Sequence, residues 1–101
     1  MSAYDQRQYR LMRGLLEKFE QNKISMQHAT GDLGTLLRAL EERDEAWEEL
    51  FDSFWKDMQY ESEMASYRGA VSKEALQCAR DAAAKLKEVV SQKIEEPPDE
   101  F

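Results

Sequence analysis

The sequence is poor in residues that cross-link a chain or anchor it in a membrane. It has a single cysteine, so no intrachain disulfide can form and nothing indicates an oxidising compartment. No apolar run approaches the roughly 18 residues of a membrane span, and the start of the chain, MSAYDQRQYR, lacks the apolar core of a signal peptide. We therefore expect a cytoplasmic protein that has no membrane partner.

Positive charge is also scarce. The chain has 14 lysines and arginines against 21 aspartates and glutamates, which gives a net charge of −7 at pH 7. Phosphate binding needs cations, so this balance argues against bare nucleic acid and against an anionic membrane surface as partners. It favours a basic protein partner, or it serves solubility alone.

The residues typical of catalytic or metal sites are few. His28 is the only histidine, and we interpret it as solvated or structural. No Glu-x-x-His pair or glycine-rich phosphate loop occurs, and carboxylates on one convex helix face do not converge on a metal ion. Cys78, next to Ala79, is interpreted as a small core residue rather than a nucleophile. We expect no enzymatic activity, no cofactor and no metal site.

Length and hydrophobic patterning predict the fold class. A chain of 101 residues with 42% hydrophobic content is typical of one globular domain, which we place at residues 1–95. The tail EEPPDEF, which starts at Glu95, has two prolines and four acids, and we expect residues 96–101 to be disordered. Elsewhere, apolar residues recur at three- and four-residue spacing, with no strict alternation typical of strands. We predict an all-α, antiparallel bundle of about four amphipathic helices.

Start and stop signals divide the predicted helices. The expected spans are residues 4–21, 26–40, 45 to about 67, and 73 to about 94. Their expected N-caps are Ser25, Asp44 and Ser72, with Asn22 and Gly69 at helix ends. Gly31 and Gly34 weaken the second helix, and a break near Gly31 is left open.

The segment 41–63 carries essentially all the net charge. It has ten acidic residues and two basic ones, hence −8, and it contains both tryptophans. At about 100° per residue, an apolar stripe falls on one side of a helix, whereas a strand would scatter it. The stripe comprises Trp47, Phe51, Phe54, Met58 and Ala65, with Leu50 and Trp55 on its flanks. The opposite side carries Glu45, Glu49, Asp52 and Glu63, with Glu48 on the flank between.

Two features of this predicted helix leave alternatives open. Glu61 falls inside the apolar sector, so it is either buried with Arg10, Arg13 or a tyrosine hydroxyl as partner, or it reaches water at the rim of the bundle. The anionic face is either a solvated surface or a surface made for a basic partner. Like charges recur at i,i+4 on this face, which destabilises an isolated helix by a few tenths of a kcal/mol per pair. That cost favours the partner-binding interpretation.

A pattern of helix-core and corner residues runs from Ile24 to Ala65: Ile24, Leu33, Leu36, Leu37, Ala39, Leu40, Glu41, Trp47, Phe51, Trp55, Glu61 and Ala65. This pattern resembles that of a family of short bacterial α-helical immunity proteins associated with polymorphic toxins, including contact-dependent growth inhibition systems. The resemblance covers roughly 40% of the chain and implies an all-α fold and a toxin domain as partner. This chain departs from the family pattern around Gln59 and Tyr60, and the segment after Gly69 is generic.

These observations lead to one main expectation and two alternatives. The main expectation is an immunity protein whose acidic helix occupies the cationic cleft of a cognate toxin domain, with a nuclease as the expected class. A self-associating structural or regulatory bundle, such as a homodimer, is the first alternative, and a DNA mimic acting on a DNA-binding protein is the second. The expected partner-binding residues are Glu41, Glu45, Glu48, Glu49, Asp52, Tyr60 and Glu63.

Overall fold

The computed structural model describes residues 3–95, and within this range the chain forms four α-helices and no strand. The helices are α1 (Ala3–Glu20), α2 (Met26–Arg38), α3 (Glu45–Arg68) and α4 (Lys73–Ser91). The predicted all-α class is thereby confirmed. The expected disorder at 96–101 lies outside the described residues.

Side-chain caps define where the helices begin. All three predicted N-caps are present. Each accepts a hydrogen bond from a first-turn N–H group that has no partner within its own helix. Ser25 Oγ accepts from the N–H of His28 at 3.0 Å, Asp44 Oδ1 from Trp47 at 3.2 Å, and Ser72 Oγ from Ala75 at 3.1 Å. These hydrogen bonds determine where α2, α3 and α4 begin.

Left-handed residues define where α1 and α3 end. Asn22 has φ 60°, and the N–H of Lys23 donates to the carbonyl of Lys18 at 2.8 Å, the six-to-one bond of a Schellman motif. Gly69 ends α3 with φ 71°, a conformation that costs a glycine little because it has no Cβ. The predicted helix ends at these two positions are confirmed.

α2 is continuous through both of its glycines, so the break left open at Gly31 does not occur. Gly34 has a packing role, because a Cβ there would lie 3.0 Å from Cζ2 of Trp55. The Trp55 indole N–H donates to the carbonyl of Thr30 at 3.0 Å. The missing side chain of Gly34 therefore lets an indole of α3 lie directly against the backbone of α2.

Each helix packs against the next along the chain, and α4 closes the bundle against α1. Trp47, Phe51 and Met58 are buried, as the predicted stripe of α3 requires, whereas Leu50 on its flank is 40% exposed. The large side chains with almost no exposure lie on all four helices: Met12, Leu16, Leu33, Phe51, Met58, Leu86 and Val90. One core cluster therefore joins the helices.

The structure corrects two expectations about α4. Cys78 is exposed and is not a core residue, because it lies about 100° around the helix from buried Ala79. α4 also ends at Ser91, three residues before the predicted end at Ile94. Beyond Ser91 the backbone forms turns with i→i−3 hydrogen bonds, and the side chain of Gln6 donates to the carbonyl of Lys93 at 2.7 Å.

The end of α3 and the start of α4 project beyond the other two helices. Trp55 lies beside Thr30, only four residues from the start of α2, yet α3 continues for 13 residues after Trp55. At about 1.5 Å per residue, α3 therefore extends roughly 13 Å past α2. We call residues 60–75 the projecting hairpin. Tyr60 is 58% exposed and Tyr67 88% exposed on its surface.

Candidate partner-binding face

The first half of α3 is held in place by Trp47. Its indole N–H donates to the carbonyl of Val89 on α4 at 2.9 Å. Its ring meets Tyr9 edge to face at 5.3 Å between centroids and packs on Phe51 at 5.4 Å. The Lys93 ammonium lies 5.8 Å from the Trp47 ring, within range of a cation–π contact. α3 is thus tied to α1 and α4 at the turn that carries the first carboxylates.

The corner between α2 and α3 is fixed by a buried carboxylate, Asp5 of α1. Asp5 is fully buried, and its two oxygens accept the backbone N–H groups of Glu41 and Glu42 at 2.9 Å each. Hydrogen bonds to a buried charge are stronger than those between neutral groups. Asp5 is not among the residues predicted from the sequence, although it lies four positions before Tyr9 on the apolar stripe of α1, which is the signal that could have revealed it.

Side chains of α1 also hold the segment that follows α4. Gln6 donates to the carbonyl of Lys93 at 2.7 Å and accepts from the N–H of Glu95 at 2.8 Å. Arg10 donates to the carbonyl of Glu95 at 3.2 Å. The start of α1, the α2–α3 corner and residues 93–95 therefore form one hydrogen-bonded end of the bundle, which we call the closed end.

Two ion pairs complete the closed end. Lys93 Nζ lies 2.5 Å from Asp44 Oδ2, and this bond, together with the Trp47 N–H, lowers the pKa of the Asp44 carboxyl below its ordinary value. Arg43 donates to the carbonyls of Leu37 and Arg38 at the end of α2, and it pairs with Glu48 Oε1 at 2.6 Å. Arg43 thus ties the first turn of α3 to the last turn of α2.

The expected partner-binding residues differ in how accessible they are. Glu41, Glu45, Glu49, Glu63 and Tyr60 are exposed. Glu48, on the flank of α3, and Asp52 are half-buried. Glu48 differs from the other six residues because its carboxylate forms an ion pair with Arg43.

The other carboxylates of this face are not neutralised. No lysine or arginine of the described chain lies within 4.0 Å of Glu45, Glu49, Asp52 or Glu63. Lys56 is exposed on the same side of α3 and likewise pairs with no described carboxylate. The face therefore presents negative charge to solvent from a helix whose position is fixed by its core side.

The structure separates the seven residues into two groups. Glu45, Glu49 and Asp52 fall within about 10 Å along the axis of α3. Glu63 lies roughly 27 Å from Glu45, on the projecting hairpin with Tyr60. We define the anionic face as Glu45, Glu49 and Asp52. Glu41 is next to it in the corner that Asp5 fixes.

Glu61 lies at the edge of the core rather than inside it. It is half-buried in a groove of about 320 Å³ between α3 and α4, which Cys78 also lines. Neither of the arginines expected as partners forms an ion pair with Glu61. Arg10 binds the carbonyl of Glu95, and Arg13 lies 3.9 Å from Glu17. The structure therefore favours the rim interpretation.

The described residues offer little to a metal ion. Between residues 3 and 95, no group of three or more His, Cys, Asp or Glu side chains is arranged to hold one. His28 is exposed and lies 3.0 Å from Asp32 on the next turn of α2.

Burial, reinforced by the charge of Asp5, raises the pKa of the Tyr9 hydroxyl to about 12, so this group stays neutral near pH 7.

The class that the fold defines is a four-helix bundle with an anionic face on its longest helix. None of the helices described between residues 3 and 95 is long and apolar enough to cross a membrane. Comparison with models of known protein families, with curated proteins and with solved structures gives no match to this chain.

Proposed function

We propose that this protein is a cytoplasmic immunity protein that binds a basic toxin domain, with a nuclease as the expected class, through the anionic face of α3. The observation that carries the proposal is that Glu45, Glu49 and Asp52 have no cationic partner among the described residues, although their helix is anchored on its other side. Such carboxylates need no internal bond to be broken before they meet a partner's lysines and arginines.

The mechanism follows from electrostatics. A nuclease cleft is cationic because it must hold phosphates, so a fixed row of carboxylates can enter it and exclude the substrate. Unpaired surface charge also raises the rate of encounter, and salt screens this effect. Because α3 is fixed by Trp47 and Asp5 before binding, little conformational entropy is lost on docking.

The test uses the toxin domain that we expect the neighbouring reading frame to encode, produced in bacterial cells with and without this chain. The chain should restore growth. Neutralising the anionic face with Glu45→Gln, Glu49→Gln and Asp52→Asn should abolish rescue and weaken binding by at least about 100-fold, a conservative loss for three close charge pairs. Glu48 is left unchanged because its pair with Arg43 is part of the fold.

A matched control carries the same change of net charge elsewhere. Glu74→Gln, Asp81→Asn and Glu88→Gln neutralise three exposed carboxylates of α4. This triple variant should protect cells as well as the unaltered chain does. Equal loss in both triple variants would mean that net charge matters and the face does not, and full rescue by the α3 variant would reject the proposal.

A further inference from the structure

A shallow groove between α1 and α2 has an apolar floor that no described residue covers. Its volume is about 330 Å³, and Leu11, Leu15 and Leu36 line it. Leu11 is 54% exposed, and a Cβ built on Gly14 would meet nothing within 4 Å. The centre of the groove is therefore open to solvent where Gly14 lacks a side chain.

Two cations flank the groove along α1. Arg10 and Lys18 are both exposed, and neither has a carboxylate within 4.0 Å among the described residues. Asp32 is the only described carboxylate that lines the groove, and it lies 3.0 Å from the ring of His28. The groove therefore suits an apolar segment that carries a carboxylate on either side.

The chain that follows α4 already runs along α1 toward this groove. Gln6 donates to the carbonyl of Lys93 at 2.7 Å and accepts from the N–H of Glu95 at 2.8 Å. Arg10, one turn further along α1, donates to the carbonyl of Glu95 at 3.2 Å. Residues 93–95 therefore follow α1 in the direction of its own C-terminus.

These contacts lie on one row of side chains of α1. Residues spaced by four along a helix form a row that turns by only about 40° per step. The row here comprises Gln6, Arg10, Gly14 and Lys18. Its first two members hold residues 93–95, and its last three border the groove. A segment that continues along the row therefore crosses Gly14 and reaches Lys18.

The sequence after Glu95 has the composition that the groove suits. It reads Glu96, Pro97, Pro98, Asp99, Glu100 and Phe101. Proline favours the polyproline II conformation, in which each residue advances about 3.1 Å. Counted from the residue beside Arg10, Pro97 would lie about 6 Å along α1 and Asp99 about 12 Å along it. Gly14 and Lys18 lie about 6 Å and about 12 Å from Arg10 along the same axis.

We propose that residues 96–101 of the same chain occupy this groove, with the rings of Pro97 and Pro98 on its apolar floor. The acidic side chains before and after the prolines pair with Arg10 and Lys18. Proline has no N–H group that an apolar floor would leave unpaired. Because the segment begins beside the groove, its local concentration there is in the millimolar range, and a weak contact is enough to hold it.

The bound segment would cover the outer side of α1 and α2. It shields the apolar floor from water and neutralises two cations that have no other partner among the described residues. Residues 96–101, expected from their composition to be disordered, thereby gain a fixed position. This inference is independent of the proposed function, because the anionic face lies on α3 and takes no part in the contact.

The first measurement is nuclear magnetic resonance of the full, isotope-labelled chain. Nuclear Overhauser contacts should join the proline rings to the methyl groups of Leu11 and Leu36. They should be equally strong at about 50 µM and about 1 mM protein, because a contact within one molecule does not depend on concentration. The backbone order parameter of Asp99 should exceed about 0.6, the value below which a backbone is flexible.

A substitution in the groove tests where the segment binds. Gly14→Leu fills the centre of the floor, so the contacts of the proline rings should disappear and the order parameter of Asp99 should fall below about 0.6. Gly31→Leu is the matched control, because Gly31 is an exposed helical glycine that does not line the groove, and both signals should persist. Leucine favours a helix more than glycine does, so neither variant should melt at a lower temperature.

The second measurement exchanges the charges at the far end of the groove. Lys18→Glu in one variant, and Asp99→Lys with Glu100→Lys in another, should each weaken docking at least about tenfold, because like charges then meet. The populations of docked and free signals measure this loss. The variant with all three substitutions should restore docking, since opposite charges again face each other. Circular dichroism confirms that the three variants are folded.

Three results would overturn this proposal. The proline rings of the unaltered chain could show no contact with the groove, or contacts that fade on dilution because another copy makes them. Gly14→Leu could leave the contacts unchanged. The variant with all three charge substitutions could remain undocked.

Discussion

The two halves of α3 differ in how they are held. The first half carries Trp47 and Trp55, whose indoles bond to carbonyls of α4 and α2, and it begins at the closed end. The second half runs into the projecting hairpin, where Tyr60 and Tyr67 are exposed. The carboxylates of the anionic face lie on the anchored half. One continuous helix therefore combines a fixed charged surface with an aromatic extension that has room to contact a partner.

The largest expected difference between the halves is in stability. Trp47→Ala removes a buried indole, its hydrogen bond to Val89 and its contact with Tyr9, and should lower the free energy of unfolding by about 3–5 kcal/mol. Tyr67→Ala, on the projecting hairpin, should change it by less than about 0.5 kcal/mol. Urea denaturation measures both. Similar losses in the two variants would contradict the contrast.

Removing the Asp5 carboxylate from the closed end should lower the free energy of unfolding almost as much as removing Trp47. Asp5→Ala leaves the N–H groups of Glu41 and Glu42 without their acceptor, with an expected loss of about 2–3 kcal/mol. Asp5→Asn keeps the volume but offers one acceptor oxygen instead of two, so it should recover only part of this loss. Full stability in Asp5→Asn would show that one bond to the corner suffices.

Two glycines should respond with opposite sign to the same substitution. Gly34→Ala places a Cβ 3.0 Å from the Trp55 ring, which its bond to Thr30 keeps from moving away, and should lower the free energy of unfolding by about 1 kcal/mol. Gly14→Ala meets open space and should raise it by up to about 1 kcal/mol. A higher free energy of unfolding in both variants would mean that the Trp55 ring moves aside and that the α2–α3 contact is loosely packed.

The smallest expected effect concerns alkaline pH. The pKa of Tyr9 is raised to about 12 in the folded chain, above its ordinary value of 10.0, so burial favours the neutral hydroxyl. Its contribution to stability is complete below pH 10 and is lost as the pH rises through about 12, because the unfolded chain ionises first. Thermal melts across this range should fall more steeply for the unaltered chain than for Tyr9→Phe. Parallel curves would contradict this linkage.

Local signals explain how much of the fold could be predicted from the sequence. Ser25, Asp44 and Ser72 act on amides three residues away, so their capping roles are visible in a short window. Asp5 was missed because its partners are 36 and 37 residues away. The hydrogen bond from Gln6 to the carbonyl of Lys93, just past the end of α4, is likewise made from the other end of the chain.

The candidate site shows the same limit. Helical periodicity places Glu45 and Glu49 on the outer side of α3, and the structure agrees. The pairing of Glu48 with Arg43 depends on the geometry of the α2–α3 corner, which no periodic pattern contains. Cys78 shows that a step of one residue, about 100° around a helix, separates core from surface.

The role of the anionic face is tested most directly by observing its carboxylates while the proposed toxin domain binds. Carboxyl carbon signals of the isotope-labelled chain are followed as the toxin domain is added. The signals of Glu45, Glu49 and Asp52 should shift on binding, whereas those of Asp81 and Glu88 on α4 should not. A complex in which the α3 carboxylates are unchanged while another surface responds would contradict this role.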